Sequence, residues 1–202
     1  STLQFVNVTV NSSSFNTSIV IPTFEGYTFD GWNTSVFDGL SIINSTGSLV
    51  PCPGYVNESG FWINETVDTL EVFANWAANQ TQIILNATGG SGGTFAVNAT
   101  YNSSSLNVSS ITNPEKTGYK FTGWNTSEIG GTQIIDVSGK LINCSNYVEN
   151  GVWINGTAKK LEVYAQWVDD PLPEHETTLH LNNTLNSTSQ FVNVTVNSSS
   201  FN

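Results

Sequence analysis

Apolar and polar residues alternate over short stretches of the chain. In Phe5-Val6-Asn7-Val8-Thr9-Val10-Asn11, Val6, Val8 and Val10 fall on one face and Asn7, Thr9 and Asn11 on the other, the period of an extended strand. Val97-Asn98-Ala99-Thr100-Tyr101-Asn102 repeats the pattern. Gln82-Ile83-Ile84-Leu85-Asn86 and Thr178-Leu179-His180-Leu181-Asn182 are short apolar runs that read as further strands. Gly89-Gly90-Ser91-Gly92-Gly93 lies between two strand signals and reads as a hairpin loop. It is no phosphate cradle, since no Lys follows it and no helix opens after it. The predicted class is mainly β, with at most a minor helical part.

The pattern also repeats on a longer scale. Gly26-Tyr27-Thr28-Phe29-Asp30-Gly31-Trp32-Asn33-Thr34-Ser35 returns 92 residues later as Gly118-Tyr119-Lys120-Phe121-Thr122-Gly123-Trp124-Asn125-Thr126-Ser127. Trp62-Ile63-Asn64 returns as Trp153-Ile154-Asn155, and Leu70-Glu71-Val72-Phe73-Ala74-Asn75-Trp76 as Leu161-Glu162-Val163-Tyr164-Ala165-Gln166-Trp167. Two modules result, each with three Trp: Trp32, Trp62 and Trp76 against Trp124, Trp153 and Trp167. Duplicated Trp are expected as core pillars, because burying so large a ring stabilises each small module. The predicted division is a first module over 1–76, a joint at 77–80, a second module over 81–167, an acidic spacer with two Pro over 168–176, and the start of a further unit over 177–202.

Residues 1–16 reappear as residues 187–202 with only Leu3 changed, to Ser189, an offset of 186. Two modules are therefore one unit of a larger array. The second module opens with the strand around Ile83, and the corresponding strand for a first module is the one around Leu179. The first module in this stretch is accordingly expected to lack its opening strand. A sheet short of a strand exposes unpaired N–H and C=O groups that attract a partner. Leu179 and Leu181, continuing through Phe191, Val192, Val194 and Val196, are the expected assembly strand, completing the sheet of a neighbouring unit by tandem repetition or strand addition. The implied partner is the chain itself, head to tail. Such a contact does not close and so grows a filament.

Composition narrows the functions. The chain has 202 residues, 16 acidic side chains, five Lys, no Arg and a net charge of −11. Nucleic-acid binding is not expected without clustered cations, and neither is docking on an anionic membrane. No apolar run approaches the roughly 20 residues of a spanning helix, so no membrane insertion is expected, and no signal peptide is visible in this stretch.

Asparagine usage is the most informative number. The chain holds 25 Asn and 48 Ser plus Thr, and 19 of the Asn stand in Asn-x-Ser/Thr triplets without Pro: Asn7, Asn11, Asn16, Asn33, Asn44, Asn57, Asn64, Asn79, Asn86, Asn98, Asn102, Asn107, Asn125, Asn143, Asn155, Asn182, Asn186, Asn193 and Asn197. Chance placement at this composition gives about six, so the triplets are some threefold in excess of what an Asn- and Thr-rich surface alone would produce. The expectation is covalent N-linked glycans, a secretory route and an extracellular or cell-surface location, with no other cofactor.

Catalytic chemistry has little to rest on. His175-Glu176 and His180 lie five residues apart rather than the four of a helical zinc pair, after two Pro and in a strand context. No Ser or Cys sits in a nucleophile elbow, no carboxylate pair suggests glycoside chemistry, and Asp169-Asp170 reads as a solvated acidic turn. No catalytic or metal residue is assigned. Cys52 and Cys144 are equivalent, one per module, which excludes a disulfide within a module and leaves two partly buried thiols or a bridge between modules.

The combination Gly-Tyr-x-Phe-x-Gly-Trp-Asn-Thr, a spacer, then Leu-x-Val-Tyr-Ala-Gln-Trp, preceded by Ile-Ile-Leu-Asn-Ala-Thr-Gly-Gly and Asn-Pro-Glu-Lys-Thr, resembles the Listeria–Bacteroides repeat, or internalin B-repeat. The resemblance covers 81–167 well, and 1–76 as a copy without its first strand. It implies small β-grasp-like modules strung along secreted or surface-anchored proteins as stalks, spacers or adhesive segments. The expected function is a structural subunit of an extracellular, N-glycosylated fibril or surface stalk. The alternative is an adhesin or carbohydrate-binding module, which would use exposed aromatics such as Tyr55, Phe61 or Tyr147; a third reading is a non-catalytic spacer in a large secreted enzyme.

Overall fold

In a computed structural model, residues 3–170 are described together with the backbone of two later strands, His175–Asn182 and Ser189–Val196. Every regular element among them is a strand. The mainly β class holds, and the minor helical part has no counterpart in the described residues.

The first module contributes β1 (Tyr27–Asn33), β2 (Ser41–Ile43) and β3 (Phe73–Ala78), an antiparallel sheet in the order β2-β1-β3. The second contributes β4 (Gln80–Asn86), β5 (Ala96–Thr100), β6 (Tyr119–Asn125), β7 (Gln133–Ile135), the small β8 (Val148–Glu149) and β9 (Val152–Trp153) hairpin, and β10 (Lys160–Asp169). Its main sheet has five strands in the order β5-β4-β10-β6-β7, with β4 and β10 parallel and every other pair antiparallel. The last three strands of that order correspond to the whole sheet of the first module. β11 (His175–Asn182) and β12 (Ser189–Val196) pair antiparallel as a two-stranded sheet of their own.

The period-two pattern explains the second sheet. Val97 and Ala99 are buried while Asn98 and Thr100 between them are not, and Ile83, Leu85, Val163 and Ala165 join them in the core around Trp124 and Trp153. The first module has its own core of Ile42, Ile43, Leu49, Cys52, Val56 and Trp62. The glycine before each motif Trp sits at a strand irregularity with φ of +111° (Gly31) and +131° (Gly123), a conformation side chains resist. A Cβ there would also run into the carbonyl of Ile43 or Ile135 on the adjacent strand. The Gly-Trp pair is thus a backbone requirement followed by the side chain that it aims inward.

One expected strand is not formed. Phe5–Asn11 makes only an isolated bridge, Val8 to Phe15, whereas its counterpart β5 is a full strand. The reason is the neighbour: β5 is held by β4 through Ile83 to Val97 and flanking pairs, and no described residue takes the place of β4 in the first module.

Candidate functional site

The first module carries an open position one strand wide. In the second module, β4 lies between β5 and the first half of β10, with Ile83 opposite both Val97 and Leu161, and Leu85 opposite Val163. The equivalent walls in the first module are residues 5–9 and 69–73, and residues 3–6 and 69–72 line a groove of about 300 Å³ floored by Ile19, Trp32 and Ile43. A second cavity of about 250 Å³ continues along the same gap toward Val8 and Trp62. Val163 is 0% exposed and Trp124 1% exposed under β4, whereas Val72 and Trp32 remain half-buried. Phe5, on the rim, is 81% exposed. Residues 69–72 form no strand, although the same sequence pattern at 160–163 does.

The expected assembly residues fall on β11 and β12. Leu179 pairs with Val192, Thr178 with Asn193 and His180 with Phe191. The second module's opening hairpin has the same register, with Ile83 to Val97, Gln82 to Asn98 and Ile84 to Ala96. β11 and β12 thus pair in the same register as the opening hairpin of the second module. They form two strands rather than one continuous one, and their side chains lie outside the described residues.

The modules meet at Asn79, the one residue between β3 and β4. Its amide nitrogen donates to the Gly156 carbonyl at 2.7 Å, and its side-chain oxygen accepts from the Thr28 hydroxyl at 2.6 Å. Its backbone N–H donates to Gly26, and its carbonyl accepts from Tyr101. Tyr101 packs edge-on to Tyr27, with ring centroids 5.5 Å apart. Thr81 is buried and donates to the Ala158 carbonyl at 2.6 Å. Sequence reasoning placed the joint at 77–80, of which only Asn79 lies outside the strands, and it singled out neither the bonds of Asn79 nor the groove walls. The repeat Leu70-Glu71-Val72 against Leu161-Glu162-Val163 was the one signal pointing to a wall.

Of the sequon asparagines, the fifteen from Asn7 to Asn155 are described and none is buried. Asn186 and Asn197 lie outside the described residues, and only the backbone of Asn182 and Asn193 is described. Several organise turns. Asn64 and Asn155, equivalent in the two modules, each donate to a carbonyl across a loop and accept from the backbone two and three residues on. Asn44 accepts from the amides of Thr46 and Ser48, and in the second module Asp136 takes the same role toward Ser138 and Lys140. Of the six Trp, Trp62, Trp124 and Trp153 are buried, and Trp32, Trp76 and Trp167 are half-buried. Of the candidate adhesive aromatics, Tyr55 and Tyr147 are half-buried against Trp62 and Trp153, and Phe61 is exposed.

Burial pushes the Asp136 carboxyl up, but the Ser138 hydroxyl, the Lys140 and Ser138 amides and the Lys140 charge together hold it below its ordinary range. A carboxylate depressed on folding contributes above its unfolded pKa of about 3.9 and loses that contribution as pH falls through the folded value. Acidification below pH 4 should therefore raise amide exchange at Ser138 and Lys140 while Thr46 and Ser48, held by the neutral Asn44, do not change. Asp136→Asn should abolish the difference. Equal pH responses of the two turns would contradict this assignment.

Cys52 and Cys144 are free and buried, and burial pushes both thiols up. Both should resist iodoacetamide at pH 8 in the folded chain and react fully in denaturant, as mass spectrometry would read. Rapid native labelling of either would place it at the surface. Among the described residues no three His, Cys, Asp or Glu side chains converge on one point.

No curated protein and no solved structure matches the chain. The family description of the Listeria-Bacteroides repeat domain matches residues 2–47 and 82–146, more than half of the chain and a part of each module. With the duplicated Gly-Trp motif, the paired cores and the matching hairpin registers, this settles the family: the chain belongs to the Listeria-Bacteroides repeat domain family.

Proposed function

We propose that the chain is a structural unit of an extracellular, N-glycosylated fibril or surface stalk, in which successive units join head to tail through their sheets. The repeat family is typical of surface and extracellular proteins and typically non-catalytic. The observation that supports the finer reading is the identical register of β11 with β12 and of β4 with β5, as expected of a hairpin that opens a further module. A module array of this kind transmits load along its axis by strand pairing, and separate cores let each module resist unfolding by itself. Negative-stain electron microscopy of the native material tests the reading. Uniform filaments or stalks with a repeat of one two-module unit support it, and compact monomers of the full-length protein contradict it.

Glycan placement supports the extracellular part of the reading, since every described sequon asparagine reaches at least part of the surface. Asn79 is the exception in kind. Its side chain is enclosed by Thr28 and Gly156, and the Thr81 hydroxyl of its triplet is buried against Ala158. A sugar on the Asn79 amide would crowd these contacts, so the joint between the modules disfavours one there. Glycopeptide mapping should find glycans at exposed Asn7, Asn11, Asn57 and Asn107 and bare Asn79; a fully occupied Asn79, or bare asparagines throughout, would contradict the assignment.

A further inference from the structure

We propose that Asn107 closes the outer edge of the second module's sheet, so that no further strand adds beside β5, and that Asn16 does the same in the first module. In each, one side-chain amide serves two ends. Its Oδ1 stands in for a backbone carbonyl, and its Nδ2 is left free for a sugar. The cap lies on the far side of β5 from β4, and it holds whether or not units join head to tail.

β5 is an outermost strand in the order β5-β4-β10-β6-β7. On its inner side the Phe95 carbonyl accepts from the Leu85 N–H, and the Tyr101 N–H donates to the Asn79 carbonyl. Backbone groups alternate along an antiparallel strand, so Ala96, Asn98 and Thr100 direct theirs outward. Such a row is a template for another chain, and Phe95 beside it is 75% exposed. Asn107 occupies the middle of the row. The Asn98 N–H donates to the Asn107 Oδ1 at 2.6 Å, and the Asn107 N–H donates to the Asn98 carbonyl at 3.0 Å. One residue thus satisfies both groups that an added strand would use at Asn98. Two residues on, the Thr100 carbonyl accepts from the Ser103 N–H at 3.1 Å.

The first module repeats the arrangement. The Asn7 N–H donates to the Asn16 Oδ1 at 2.7 Å, the Asn16 N–H to the Asn7 carbonyl at 2.8 Å, and the Ser12 N–H to the Thr9 carbonyl at 2.9 Å. Its surroundings have diverged: Phe15-Asn16-Thr17-Ser18 stands against Leu106-Asn107-Val108-Ser109, with only the Asn and the Ser of the triplet in common. The cap also forms there without a full strand at Phe5–Asn11, so it is a local device. Both capping side chains are exposed, and the Nδ2 of neither donates to a described residue. A sugar on Asn16 or Asn107 is therefore compatible with the cap, in contrast to one on Asn79.

The test uses the full chain made in a host without N-glycosylation, where the cap acts alone. Asn107→Ala should raise amide exchange at Asn98 by about tenfold, the loss of one hydrogen bond, and leave Ile135 in the core unchanged. One β5 edge can pair with another across a two-fold axis, and that contact closes. The variant should therefore sediment at about twice the mass of the wild-type species. Asn107→Asp keeps an acceptor oxygen and should retain wild-type exchange and mass. Made in a glycosylating host, Ser109→Ala removes the triplet and keeps the cap, and it should match wild type there as well. Three results would overturn the proposal: unchanged exchange at Asn98 in Asn107→Ala, faster exchange with no gain in mass, or association of Ser109→Ala equal to that of Asn107→Ala.

Discussion

Trp124→Ala destabilises the second module by about 3–5 kcal/mol, the range for emptying a fully buried indole site, while Trp32→Ala costs the first module only about 1–3 kcal/mol. The two residues are repeats of one another, yet Trp124 is 1% exposed beneath β4 and Trp32 floors an open groove. The loss scales with the apolar contact removed and with the cavity left behind, and a side chain still partly wet has less of both to lose. The indole N–H has no acceptor among the described residues in either module, so the effect is one of packing. Trp124→Phe should accordingly cost much less than Trp124→Ala. Because the cores are separate, amide exchange at Ile43 and at Ile135 under increasing denaturant reports each module by itself. Equal losses for Trp32→Ala and Trp124→Ala would mean that the groove is filled from within the chain.

The second large effect concerns the joint. Gly156→Glu should uncouple the modules while leaving both cores folded. The first module carries Glu65 at the position of Gly156 and Val10 at that of Tyr101, so the joint's two special residues occur in the second module alone. A Cβ at 156 would overlap Gly26, and the Asn79 hydrogen bond to the Gly156 carbonyl would be displaced with it. Overpacking of this kind costs about 1–3 kcal/mol, enough to open a contact that only a few side chains maintain. Amide exchange at Asn79 and Tyr101 should rise by tenfold or more, the equivalent of about 1.4 kcal/mol, with Ile135 unchanged. Unaltered exchange at Asn79 would show that the joint does not depend on the close approach of these two glycines. The joint is one residue long and bonded on both sides.

Much of this architecture was legible in the sequence because repetition and period-two patterning are local signals. The strands at 82–86 and 96–100, the glycine hairpin loop between them and the inward Trp124 and Trp153 are all readable from spacing alone. What stayed illegible depends on partners distant in the chain. Phe5–Val10 has the alternation of a strand and is not one, since a strand exists only where something pairs with it. The joint at 77–80 was legible but its bonding was not, because Asn79 looks like any other sequon asparagine, and Gly156 like any loop glycine, until the fold brings them together. The sequons themselves carry two messages. Asn64 and Asn155 hold turns whatever else they carry, and Asp136 stands where Asn44 does, so part of the asparagine content is turn chemistry.

Hydrogen exchange across the first module's groove, compared between dispersed and assembled chain, tests the central claim most directly. The amides of residues 69–72, Val6 and Val8 should exchange freely in the monomer, because no described residue accepts from them, whereas Asn7 already donates to Asn16. On assembly their protection should rise to that of residues 160–163, Val97 and Ala99, which lie beside β4. Assembly that leaves residues 69–72 as unprotected as before would contradict the account.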